Sequence, residues 1–157
     1  MVCATAPVAA LAQEFRVGFV NTERILREAN QAKSAQSRLE QEFAKREKEV
    51  QILAAGLKSA SEKFERESPT LPDSQKVTRQ RQLVELDRDF QRRQREFQED
   101  LTLRRNEEIQ SMLEKANRII KQVAEQDKFD LIIQEAVYIH PRYDITDKVL
   151  SALNGVK

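Results

Sequence analysis

The chain has 157 residues, of which 34% are charged and 6% aromatic, with three Gly, four Pro and no Trp. So few apolar side chains exclude the two-layer core of a compact enzyme of this length. The 27 basic residues nearly cancel the 26 acidic ones, which argues against disorder and excludes a global pull towards nucleic acid or membranes.

Residues 1–12 read MVCATAPVAALA and end in Ala10-Leu11-Ala12, the A-x-A form of a signal-peptidase site, which predicts cleavage after Ala12. The apolar stretch is too short to span a bilayer. No basic segment precedes it, so it reads as the remnant of a signal peptide whose start lies upstream. Cys3 has no lipobox around it, and the cleaved chain would hold no Cys and no disulfide.

Arg16-Val17-Gly18-Phe19-Val20 reads as a strand, with Asn21-Thr22 as the N-cap of a short helix from Glu23 to about Ala29. A long helix follows, interrupted in composition only by Gly56, and ends near Glu67. Ser68-Pro69-Thr70-Leu71-Pro72-Asp73 is the break. Thr70 and Asp73 resemble a capping box with a shorter acid, so a new helix is expected here. No Gly or Pro recurs before Pro141. This helix should end near Gln126-Asp127, because Phe129–Ile133 turns β-rich. Ala136-Val137-Tyr138-Ile139 continues that strand or forms another. His140-Pro141-Arg142 is a turn, after which Thr146 caps a last helix from Asp147 to about Leu153, closed by Asn154-Gly155.

The long helices carry a narrow apolar seam at helical spacing. It comprises Leu39, Phe43, Val50, Leu53, Leu57 and Phe64 on the outgoing helix, and Leu83, Leu86, Phe90, Phe97 and Leu101 on the return. Arg46, Arg93 and Arg105 occupy slots where an apolar residue is expected. Acid-first pairs at i, i+4, such as Glu42/Arg46, Asp89/Arg93 and Asp100/Arg104, would support the exposed faces. A turn near residue 71 makes this an antiparallel hairpin of about 55–60 Å, with Phe43 opposite the region of Glu99. Gly56 is either a close-packing point against the return helix near Leu86 or a hinge.

The predicted fold is α+β, mostly α: a helical arm over 30–111, with its tip near 68–73, projecting from a discontinuous β-containing body over 13–29 and 112–157. A body of this size should be marginal as a monomer. Val17, Phe19, Val20, Leu131, Ile132, Ile133 and Val137 are the candidate oligomerisation residues, completing the sheet between chains.

Catalytic chemistry finds little support. His140 is the only imidazole and reads as an exposed turn residue. Glu99-Asp100 and Glu107-Glu108 are adjacent on a helix and diverge around its axis. No phosphate-binding glycine motif is present. The reading is no enzyme, no cofactor, no metal and no nucleic-acid partner. The arginines of the return helix, including Arg93 and Arg104, are interleaved with acids and read as a solvated face.

Taken in order, the Arg-Val-Gly-Phe-Val-Asn strand, the charged hairpin, Phe97-Gln98-Glu99-Asp100, Arg104-Arg105-Asn106-Glu107-Glu108, Phe129-Asp130-Leu131-Ile132-Ile133 and the Asp144–Leu150 tail resemble the Skp/OmpH family of periplasmic chaperones. The resemblance implies a jellyfish-like homotrimer with a shared β-barrel body and three arms around a cavity. It further implies periplasmic location and ATP-independent holding of unfolded outer-membrane proteins. It would also place a lipopolysaccharide or anionic-membrane contact at Arg93 and Arg104. Some members of the family are strongly basic, whereas this chain is near neutral. The competing readings are a coiled-coil scaffold or tether and a cytosolic prefoldin-like chaperone.

Overall fold

The computed structural model describes residues 15–155. The signal-peptide remnant, its cleavage site after Ala12 and Cys3 lie outside the described residues. The described residues are mostly helical, with one small parallel strand pair among them. In order, the elements are β1 (Val17–Phe19), α1 (Thr22–Glu28), α2 (Asn30–Glu67), α3 (Asp73–Asp127), β2 (Leu131–Ile133) and α4 (Thr146–Gly155). Short 3-10 turns span Ser68–Thr70 and Pro141–Tyr143. The described residues divide into two compact units, one of residues 15–29 and 113–155 and one of residues 30–112.

In the first unit, β1 pairs with β2 in register Val17 to Leu131, Gly18 to Ile132 and Phe19 to Ile133. On its other side Phe19 accepts from the Ile145 N–H at 2.9 Å and bridges Asp144. β1 is therefore inner, while β2 has a single strand neighbour. A Cβ at Gly18 would sit 2.8 Å from Ile132 Cδ1 and 3.1 Å from Ile145 Cδ1, so the small residue is what lets both side chains lie over the strand. Asn21 caps α1, its Oδ1 accepting from the Arg24 N–H at 2.9 Å. α1 packs on α4, and Val20, Ile25, Ala29, Val149 and Leu153 are buried. Arg24 joins the two helices by binding both Glu28 and Asp147.

Three expectations need correction here. Ala136–Ile139 forms no strand; Val137 is fully exposed and Tyr138 nearly so. β-propensity expresses fit to a half-buried pleated surface, and this chain offers the segment none. Thr146 does not cap α4 with its hydroxyl: its Oγ1 accepts from the Asn21 N–H at 2.9 Å, while Asp144 Oδ1 accepts from the Thr146 N–H at 2.8 Å. Thr70 does not cap α3 either. It lies in the 3-10 turn and donates to the Glu67 carbonyl, and Pro72 supplies the carbonyl that receives Gln75 and Lys76.

α3 ends in a Schellman motif. The Lys128 N–H reaches the Glu125 carbonyl at 3.4 Å and the Phe129 N–H reaches that of Ala124 at 2.9 Å. Lys128 takes a φ of 56° there, the left-handed conformation usually left to Gly.

In the second unit α2, 38 residues long, lies antiparallel to residues 73–112 of α3. Its core is small: Leu39, Phe43 and Phe97, with Val50 and Leu101 packed against them. The Phe43 and Phe97 rings meet edge to face, centroids 5.8 Å apart, with Phe97 two positions along α3 from Glu99.

Candidate functional site

The hairpin's sparse seam is the feature that sets this molecule apart from a stable two-helix partner. Of the predicted seam residues, Leu39, Phe43 and Phe97 are buried. Val50, Leu53, Leu57, Phe64, Leu83, Phe90 and Leu101 are half-buried, and Leu86 is 39% exposed. Coiled-coil partners ordinarily bury a continuous seam. Here continuity is lost towards the tip, where Ile52, Val77 and Val84 also stand exposed.

Charge closes the seam where apolar residues do not. Arg46 lies over the Phe43 ring at 5.4 Å and bonds Asp100 at 2.7 Å. A guanidinium stacked on an aromatic face thus stands where spacing reserves an apolar residue. Arg104 reaches Glu42 at 3.4 Å, and Arg38 reaches Glu108 at 3.1 Å. Near the tip Arg79 bonds Glu67 at 3.0 Å. The expected intrahelical pairs Glu42/Arg46 and Asp100/Arg104 have thus exchanged partners across the hairpin. Asp89/Arg93 remains within its helix at 4.0 Å. Each such pair is partly exposed, so it holds alignment more than it adds stability.

A groove of about 330 Å³ opens on the hairpin. Val50, Ile52, Leu53 and Phe97 supply its apolar lining, and Arg46, Glu49, Asp89, Arg93 and Glu96 its charged lining. Helical spacing puts Val50, Leu53 and Phe97 in the seam, and the family resemblance offers Arg93 as a lipid contact; Glu49, Ile52 and Glu96 join them only through the register of two helices.

The other singled-out residues fall as follows. A Cβ at Gly56 would meet nothing within 4 Å, which removes the close-packing explanation. Arg93 lies among carboxylates in the groove. Arg104 is held by Glu107 and Glu42, whose hydrogen bonds raise its pKa above the ordinary guanidinium value. His140 caps the turn Pro141–Tyr143, its Nδ1 accepting from the Arg142 N–H at 3.3 Å. In the first unit, Phe19 and Val20 are buried, Val17, Ile132 and Ile133 are half-buried, and Leu131 is 46% exposed. Glu28 is held below the usual carboxylate range by hydrogen bonds from Arg27 and Arg24. No described helix is long and apolar enough to cross a membrane.

Comparison with known proteins agrees with this architecture. The profile of the family described as outer membrane protein (OmpH-like) matches residues 16–153. The chaperone protein Skp of Yersinia enterocolitica is 26% identical over 140 residues, covering 88% of this chain and 85% of that protein. Skp of Vibrio cholerae serotype O1 is 21% identical over 140 residues, covering 88% and 83%. The crystal structure of an OmpH-like protein from Caulobacter crescentus CB15 superposes with a TM-score of 0.74 at 17% identity, over 98% of this chain and 89% of that one. At that identity the likeness speaks to the fold.

Proposed function

The chain belongs to the OmpH-like outer membrane protein family, and from that premise we propose that it is a chaperone of outer-membrane proteins. In finer terms it is an ATP-independent holdase, exported to the periplasm with cleavage after Ala12, that keeps unfolded β-barrel proteins from aggregating on their way to the outer membrane. The relatives matched are chaperones by name rather than enzymes. The observation that carries the reading is the thinness of the hairpin seam. Its apolar residues near the tip stay half-buried or exposed beside dense charge, which suits weak contact with many segments better than permanent pairing with one helix.

The same proposal includes a homotrimer assembled through the β-containing body over 13–29 and 112–157, with arms over 30–111 around the client cavity. What supports it is the strand edge of β2, which has no second neighbour among the described residues, together with exposed Leu131, Val137 and Tyr138. Such an edge and patch ordinarily find cover. Contact with lipopolysaccharide or an anionic membrane surface through Arg93 and Arg104 is the lesser part, since both guanidiniums already face carboxylates. Gly56 is proposed as a bending point of α2.

The test is dilution of a urea-unfolded porin into buffer with the purified mature chain and no nucleotide, followed by turbidity, with light scattering for mass. Suppression near one trimer per porin is expected. Aggregation undiminished at that ratio, or a monomer at micromolar concentration, would overturn the corresponding part.

A further inference from the structure

Ile52 is a large aliphatic side chain left 70% exposed, and it stands at the lip of the hairpin groove. The floor beside it is firm. Phe97 is buried and locked edge to face against Phe43, and Val50 packs on the same cluster. The charged groups around this floor are unequally committed. Arg46 is bonded outside the groove to Asp100, and Asp89 is held by Arg92. The remainder are Glu49, whose Lys45 partner is 4.0 Å away and 88% exposed, and Glu96, which is exposed and acts on Arg92 of its own helix. Against these two carboxylates stands Arg93, itself 4.0 Å from Asp89.

We propose that this groove is a subsite for one large apolar side chain of an extended polypeptide whose neighbouring residue is Lys or Arg. The assignment rests on the chaperone reading and names the kind of segment that chaperone selects. A volume of about 330 Å³ is at the small end of binding pockets; it takes one side chain and its immediate flank, not a folded surface. Glu49 and Glu96 are placed to accept from the flanking cation. The preference is local, because the whole chain carries only +1. Glu49, Leu53, Gly56 and Ala60 lie along one face of α2 at alternating four- and three-residue steps. The open space above Gly56 leaves room for a bound backbone to continue along that face. Charge at the rim of such a contact sets selectivity more than affinity.

The experiment uses the full mature chain and short fluorescent peptides with a single central Phe, flanked by Lys, by Ser or by Glu, titrated by anisotropy at low salt. The Lys-flanked peptide should bind about three- to tenfold more tightly than the Glu-flanked one, the range two partly exposed ion pairs supply. In Glu49→Lys/Glu96→Lys the order should reverse. Ile52→Ser should weaken all three alike. Both acids are exposed, and unchanged circular dichroism would verify that the variant is folded. Equal binding of the three peptides, or an order indifferent to the charge reversal, would overturn the subsite. Porin holding is measured on the same preparation. Porin held without peptide discrimination defeats the subsite alone. Discriminating peptide binding without porin holding supports the subsite and defeats the chaperone reading beneath it.

Discussion

Truncating Phe97 to Ala should cost the hairpin about 3 kcal/mol, near the lower end of the range for large-to-small changes in a core. The lower end applies because the core is a single small cluster of Leu39, Phe43 and Phe97, open to repacking by its half-buried neighbours Val50 and Leu101. Of that loss, about 0.5–1.5 kcal/mol belongs to the edge-to-face contact with Phe43. Phe43→Ala should therefore cost nearly as much, and the double variant less than both together, since one removal already breaks the pair. Leu86→Ala is the matched control. Leu86 sits on the same predicted seam but is 39% exposed, and its truncation should cost about 1 kcal/mol or less. Urea unfolding followed by far-UV circular dichroism, with limited proteolysis of the hairpin, measures all four variants. If Phe97→Ala proves no more damaging than Leu86→Ala, the hairpin is not organised around this cluster.

Gly56→Ala should raise the thermal midpoint, because its Cβ enters open space and a helical Gly costs about 1 kcal/mol against Ala; if Gly56 is also a bending point, small-angle scattering should show a narrower distribution of dimensions, and an unchanged distribution would exclude bending there. Lys128→Gly should stabilise by about 1 kcal/mol, since it relieves a left-handed conformation; a lower urea midpoint would show that the Lys side chain matters more than its backbone. Gly18→Val should destabilise by about 1–3 kcal/mol through crowding of Ile132 and Ile145, and unchanged denaturation would refute the tight fit. For Glu28, whose folded pKa lies below its ordinary value of 4.5, the stabilising contribution is full above that value and is lost as pH falls through the lower folded one. The stability gap between wild type and Glu28→Gln should accordingly be open at about pH 6 and narrow as the solution is acidified below 4.5.

Helix limits were readable because they follow from local chemistry. The tip is set by Pro69 and Pro72, and the end of α3 by the change from charged, helix-favouring residues to Leu131-Ile132-Ile133. The Schellman stop was not readable, since nothing in Lys128 announces a left-handed conformation. Phe43 and Phe97 stand at helical spacing and are buried, yet the same spacing drew in Leu86, because periodicity reports a face and not how closely the partner helix approaches. Arg46 broke the pattern for a reason visible only in three dimensions: its guanidinium lies over the Phe43 ring and also reaches Asp100. The groove depends on residues about forty positions apart, and no one-dimensional period carries that register.

The contact between β1 and β2 has a kinetic consequence. The Arg16 N–H binds Asp130 across 114 residues, and closing so long an unstructured loop costs entropy that must be spent before the strands return anything. An antiparallel hairpin in between changes that calculation. Its contacts zip outward from the tip at Pro69–Pro72 on helix-forming timescales, and each zipped turn shortens the free chain still to be closed, down to the level of Arg38 and Glu108. The expected order is hairpin first and strand pairing last. The parallel pair would then stay incomplete until residues 131–133 have been made and delivered, and β1 would spend the whole of that interval without its neighbour.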